Sequence, residues 1–141
     1  MRLHSVLRVV SKLLIPYILL FALYVQFHGD YGPGGGFQAG VIFAAGIILY
    51  ALVFGLRAAR CVAPSKAVET LIALGVLIFL GTGLVAMLMG GNFLDYSALD
   101  HHNPSHGQHL GILIVELGVG ITVAAVMVLI FFAFAGREQA R

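Results

Sequence analysis

With 141 residues, a hydrophobic fraction of 60% and only 10% charged residues, the chain is too apolar for water to be its main solvent, and its mean hydropathy is +1.01. Eight Lys and Arg against six Asp and Glu give a net charge of +2; with no basic helix and no aromatic-basic interleaving, this balance excludes a nucleic-acid footprint. Cys61 is the only cysteine, which excludes an intrachain disulfide and leaves a redox role without a resolving partner.

A helix that crosses a hydrocarbon layer roughly 30 Å thick needs about 20 apolar residues. Four stretches qualify. The first runs from Val6 to Phe27, with Arg2, Arg8 and Lys12 before or at its start. No small-x-small cleavage pattern follows its apolar core, so it is expected to remain as a signal anchor. Pro16 removes a backbone donor inside this span and tends to kink it. Arg8 and Lys12 can snorkel to the membrane surface. The part free of charged residues, Leu13 to Phe27, is short for a span, which calls for shielding by protein or local thinning of the lipid.

The segment His28-Gly29-Asp30-Tyr31-Gly32-Pro33-Gly34-Gly35-Gly36-Phe37-Gln38-Ala39-Gly40 follows. Three glycines after a proline permit backbone angles closed to other residues and leave peptide groups accessible at a helix start. There is no Walker lysine, so phosphate binding is a poor reading. A structural turn, close contact with a partner helix and contact with a hydrated cation stay open, and His28 and Asp30 become candidates for an ion or proton pathway. The second span is read from Phe37 to Leu56. Gly36, Gly40 and Ala44 share one face of it and allow close approach by a neighbouring backbone.

A short basic segment, Arg57 to Lys66, joins two helical hairpins, with Pro64 and Ser65 ending one helix and starting the next. The third span, Ala67 to Met89, places Gly75 and Gly83 nearly on one face. The polar loop after it holds Asp100, His101, His102, Pro104, His106 and His109. Imidazoles beside a carboxylate suit zinc or another transition metal, but the spacing matches no known metal helix. Proton buffering or ion entry, and a structural interface, are the alternatives; no metal site is assigned. Pro104, Gly107 and Gly111 repeat the spacing of Pro33, Gly36 and Gly40, a pattern compatible with an ancient hairpin duplication.

The fourth span is read from Leu110 to Phe134. Glu116 is the only acidic residue well inside a predicted span, about 9 Å in from Leu110. A charge at the bilayer centre costs about 2.5 to 3.5 kcal/mol on insertion scales, so such residues face a cavity or a partner. Glu116 is therefore a candidate proton relay or cation ligand, with a protonated Glu bonded to an adjacent helix as the alternative. His109, seven residues earlier, points the same way, and Gly120 thins that face further. The gap of about 10 Å between His109 and Glu116 needs water or another chain's residue to bridge it.

All eight Lys and Arg fall at the two ends of the chain or in the middle segment, and the two polar loops have none. By the positive-inside rule both termini are cytoplasmic and the polar loops face outward. The expected fold is an all-α membrane protein, a single four-helix transmembrane domain over residues 1–141, arranged as two hairpins.

The segment HGDYGPGGGFQAG resembles the H-G-x-x-x-P-G-G-G-F-x-x-G signature of the B-type small subunits of the Mrp-type (Mnh) multisubunit sodium/proton antiporters. HGQHLGILIVELGVG is similar to that family's fourth-helix motif, and the likeness spans essentially the whole chain. The resemblance implies a small subunit of a large hetero-oligomer in the bacterial plasma membrane, with larger complex I-like subunits carrying most of the proton path. It implies exchange of cytoplasmic sodium for external protons and a part in pH homeostasis. By motif position it singles out His28, Pro33, Gly34, Gly35, Gly36, Phe37, Gly40 and Glu116. The expected function is that of a secondary cation/proton antiporter subunit rather than an enzyme, with no organic cofactor. Two rivals are a self-sufficient dimeric proton-coupled exporter and a structural subunit of a membrane-bound hydrogenase-type complex.

Overall fold

The computed structural model describes residues 2–29, 32–100 and 103–138. Its elements are α1 (Arg2–His28), α2 (Gly36–Phe54), α3 (Leu56–Val62), α4 (Ser65–Leu88), a 3-10 turn at Tyr96–Leu99, and α5 (Pro104–Glu138). α1, α2, α4 and α5 are each long and apolar enough to cross a membrane. The fold is all-helical with four membrane-length helices, as the hydropathy pattern predicts.

The two hairpins, α1 with α2 and α4 with α5, meet through α2 and α5. The resulting lateral order is α1, α2, α5, α4: a row in which α1 and α4 stand at the two ends. Glycines set the spacing. Gly36 and Gly40 of α2 lie against Glu116 and Gly120 of α5, and Gly75 of α4 lies against Gly118 and Thr122 of α5. These are the faces that the four-residue spacings mark out, and bare Cα atoms there let the backbones approach closely. Gly83 serves differently, making room for the ring of Phe93.

The buried core lies toward the end of the molecule that carries α3. Ala44, Ala51, Leu56, Ala59, Val68, Ala125, Val128 and Phe132 form one cluster there, drawn from α2, α3, α4 and α5. α1 takes no part in that cluster, and only 11% of its membrane window is buried, against 28% for α2 and for α5. α1 also runs unbroken through Pro16.

Two elements differ from the sequence expectation. The basic segment after α2 is a short helix, α3, and not a plain connection. Gly55, at φ 95°, turns the chain sharply between the two helices. Arg60 then donates to the Phe132 carbonyl at 3.4 Å and sits 5.8 Å from the Phe132 ring centroid, holding α3 on α5. The second difference is that α5 starts at Pro104, six residues before Leu110. Proline suits the first helical turn because its missing donor is not needed there. The Asp100 carboxylate accepts from the Asn103 amide at 3.1 Å, and Asn103 accepts from the His106 and Gly107 amides, so the helix begins at once.

The early start makes the hairpins unequal. Gly36, the first residue of α2, is level with Glu116, so α5 continues past the start of α2 by twelve residues, or about 18 Å. That projecting part of α5 is accompanied by the last turns of α4 and by the 3-10 turn, whose Tyr96 lies against Gly107 and Gly111. The outline is a step, with the turn between α1 and α2 on its lower tread.

Candidate functional site

The lower tread holds the glycine turn and Glu116. α1 ends at His28, and the turn is tied back onto it by hydrogen bonds from Gly32 N–H to the His28 carbonyl (3.1 Å) and from Gly35 N–H to the Val25 carbonyl (3.3 Å). Gly35 caps α2 with φ 125°, a conformation that side-chain-bearing residues rarely adopt. It offers no side-chain cap, so the first N–H groups of α2 look for acceptors elsewhere.

Glu116 comes to this place from the facing helix. A Cβ placed on Gly29 would lie 2.8 Å from Glu116 Oε2, and one on Gly35 would lie 3.2 Å from Oε1. The half-buried carboxylate thus rests on two bare backbone positions, one just past α1 and one at the start of α2. The N-terminus of a helix carries about half a positive charge, and its free N–H groups favour anions. Gln38 reaches the same spot, with its Oε1 3.4 Å from the position of a Gly35 Cβ.

Of the other predicted site residues, His28 sits at the rim, its ring against Gly32 and stacked on Tyr24 at 5.2 Å. Pro33 and Phe37 are exposed. Gly34 fits against the Val25 carbonyl, while Gly36 and Gly40 form the α2–α5 contact. His109 and His106 belong to the projecting turns of α5, not to a loop, and both are exposed. His106 Nδ1 lies 3.3 Å from an Asp100 carboxylate oxygen. The geometry therefore brings Glu116 together with the glycine turn and leaves His106 and His109 on the upper part of α5. Asp30, His101 and His102 lie outside the described residues. Among the described residues no group of three or more His, Cys, Asp or Glu is placed to hold a metal.

Sequence reasoning passed over Gln26. It is only 7% exposed, and a Cβ on Gly120 would lie 2.6 Å from its Oε1, one turn along α5 from Glu116. A polar residue inside an otherwise apolar run was the available signal, as it was for Glu116.

The sequence as a whole is similar to known proteins. A family profile described as "Domain related to MnhB subunit of Na+/H+ antiporter" matches residues 6–129. This chain belongs to the MnhB family. A relative from Staphylococcus haemolyticus (strain JCSC1435), named "Putative antiporter subunit mnhB2", is 36% identical over 136 residues, covering 95% of this chain and 96% of its own length. The protein of the same name from Staphylococcus aureus (strain Newman) is 34% identical over the same shares. The matched region of this MnhB family member includes all but the first residues of α1, the glycine turn and Glu116. Together with the four membrane-length helices, membership makes the chain a multi-pass component of a bacterial membrane transport system, and so not an enzyme.

Proposed function

We propose that this chain is a small subunit of a multisubunit monovalent cation (sodium)/proton antiporter, driven by the proton gradient, and that Glu116 takes up and releases a proton at its outer mouth. α3 and both chain ends face the cytoplasm in this reading, because all eight Lys and Arg lie on that side. The partners are the other subunits of the complex, among them complex I-like subunits that carry the larger proton path. The exporter and hydrogenase readings draw no support from the family match, which covers residues 6–129 of this chain with an antiporter-subunit profile.

The observation that supports the role of Glu116 is its seat at the uncapped start of α2, with no side chain on Gly29 or Gly35 to keep it away. The α2 N-terminus offsets the cost of the charged form in a membrane, and a neutral carboxyl can still hydrogen-bond there. Both states are accommodated by one geometry. A second reading rests on the same contact: Glu116 is a cap for α2 supplied by another helix, and it never titrates.

Glu116→Gln separates the two, since an amide keeps the size and an acceptor oxygen but does not titrate. In everted vesicles, normalised to assembled complex and followed across a pH range, sodium/proton exchange in the Gln variant is expected to fall at least tenfold. Glu116→Asp should keep part of the activity with a displaced pH profile. Near-normal exchange by the Gln variant would reject proton transfer at this residue and leave the cap.

A further inference from the structure

One face of the helix row is concave, with α2 and α5 as floor and α1 and α4 as walls. It encloses a trough of about 270 Å³ lined by Leu23 and Gln26 of α1, Phe43 of α2, Leu71 of α4 and Ala124 and Val128 of α5. From Leu117 to Val128 the trough follows α5 for eleven residues, roughly 16 Å, or three helical turns. Its lining is apolar except for Gln26. That side chain is 7% exposed, opens on the trough, and no hydrogen bond joins its amide to another described residue. Gly120 leaves the space that the amide occupies.

The amide decides among the occupants. A lipid acyl chain fills an apolar trough but offers nothing to an amide, and an unmet buried polar group costs about 1 to 3 kcal/mol. Bound water needs two to four polar partners, and the lining supplies one polar side chain. A helix offers both an apolar ridge for the trough and one polar side chain at the depth of Gln26. α1, the wall that carries Gln26, is also the least packed of the long helices, with 11% of its window buried.

We propose that a transmembrane helix of a neighbouring subunit lies in the trough between α1 and α4 and hydrogen-bonds Gln26 through a polar side chain. This rests on the reading that the chain works inside a multisubunit antiporter. The docked helix braces α1 against α4 and closes the open row into a bundle. It reaches to within one turn of Glu116, because Gly120, beside Gln26, is four residues along α5 from it.

The test uses the intact complex in native membranes, with photoreactive benzoylphenylalanine placed singly at Leu23, Phe43 or Leu71 in the trough. Leu52 and Leu77, 69% and 70% exposed, serve as controls away from it. The three trough positions are expected to give adducts to one and the same partner helix, identified by mass spectrometry, and the controls none to that helix. Gln26→Leu should lower the Phe43 adduct at least fivefold, with Gln26→Asn intermediate. Adducts to lipid alone, or to a second copy of this chain, overturn the proposal, and an unchanged adduct in Gln26→Leu overturns the hydrogen bond. If the complex is intact but the trough gives no protein adduct, this inference fails and the functional reading stands. If the chain purifies with no other subunit, the functional reading fails and takes the inference with it.

Discussion

Gly36 and Gly81 show how differently one residue type behaves along these helices. A Cβ on Gly36 would run into the Glu116 backbone carbonyl, whereas one on Gly81 would meet nothing within 4 Å. Gly36→Ala must therefore push α2 off α5, an overpacking cost of about 1 to 3 kcal/mol, and it displaces the seat of Glu116 at the same time. Gly81→Ala should be neutral or stabilising by up to about 1 kcal/mol, because alanine loses less chain entropy in a helix. Thermal melting of the purified complex with parallel exchange assays checks the pair: the first variant should lose both stability and exchange, the second neither. Equal melting temperatures would mean that α2 and α5 are not in backbone contact. The spacing of Gly36, Gly40 and Ala44 was legible in the sequence as a packing face. That α5 fills it was not, because four-residue periodicity identifies a face and says nothing about which helix lies opposite. Glu116 and the glycine turn were likewise legible separately, while their meeting is a tertiary contact across about eighty residues of chain. Gln26 was missed because a single amide near the end of an apolar helix resembles an ordinary interfacial residue until its burial is known.

Among the elements, the four long helices were legible because about 20 apolar residues in a row admit few other structures in lipid. The short ones were not. α3 is held by Gly55 and by the reach of Arg60 to Phe132, and the 3-10 turn by the fit of Tyr96 to Gly107 and Gly111. Both depend on partners distant in sequence. The 3-10 turn can be probed by pH, because burial raises the Tyr96 phenol above its ordinary value. A raised folded-state value means that the packed turn favours the neutral phenol. The contribution is therefore complete below the unfolded value near pH 10 and is lost as pH climbs through the folded one. Amide exchange in residues 96–111 should accelerate above about pH 10 relative to the intrinsic rate. Tyr96→Phe, which keeps the ring against Gly111, should remove that acceleration. An identical alkaline profile in the Phe variant would assign it to another group.

The whole molecule has two ends of opposite character and two hairpins of unequal length. Arg8 and Lys12 both approach the Phe54 ring, at 5.3 and 5.7 Å from its centroid, and Arg60 lies at the same end over Phe132. The other end carries the glycine turn, the 3-10 turn and the projecting start of α5. A membrane layer roughly 30 Å thick that begins at the basic end covers about 20 residues of each helix. It reaches its far side near the end of α1 and the start of α2, and leaves the first turns of α5 beyond it. In the proposed orientation Glu116 then sits close to the outer boundary of the hydrocarbon, on the lower tread of the step, where a proton from outside would need little further path through this chain. The placement depends on orientation, and two positions at opposite ends can measure it. Cys61 is exposed on α3. Ser97 is part of the 3-10 turn at the other end, where its hydroxyl donates to the Asp95 carboxylate. A membrane-impermeant thiol reagent added to intact cells should leave native Cys61 unlabelled and should label Ser97→Cys once Cys61 has been replaced by Ser. Inverted vesicles should give the opposite pattern. Labelling of Cys61 in intact cells would turn the molecule over, place Glu116 at the cytoplasmic mouth, and require any proton that it carries to come from the cytoplasm.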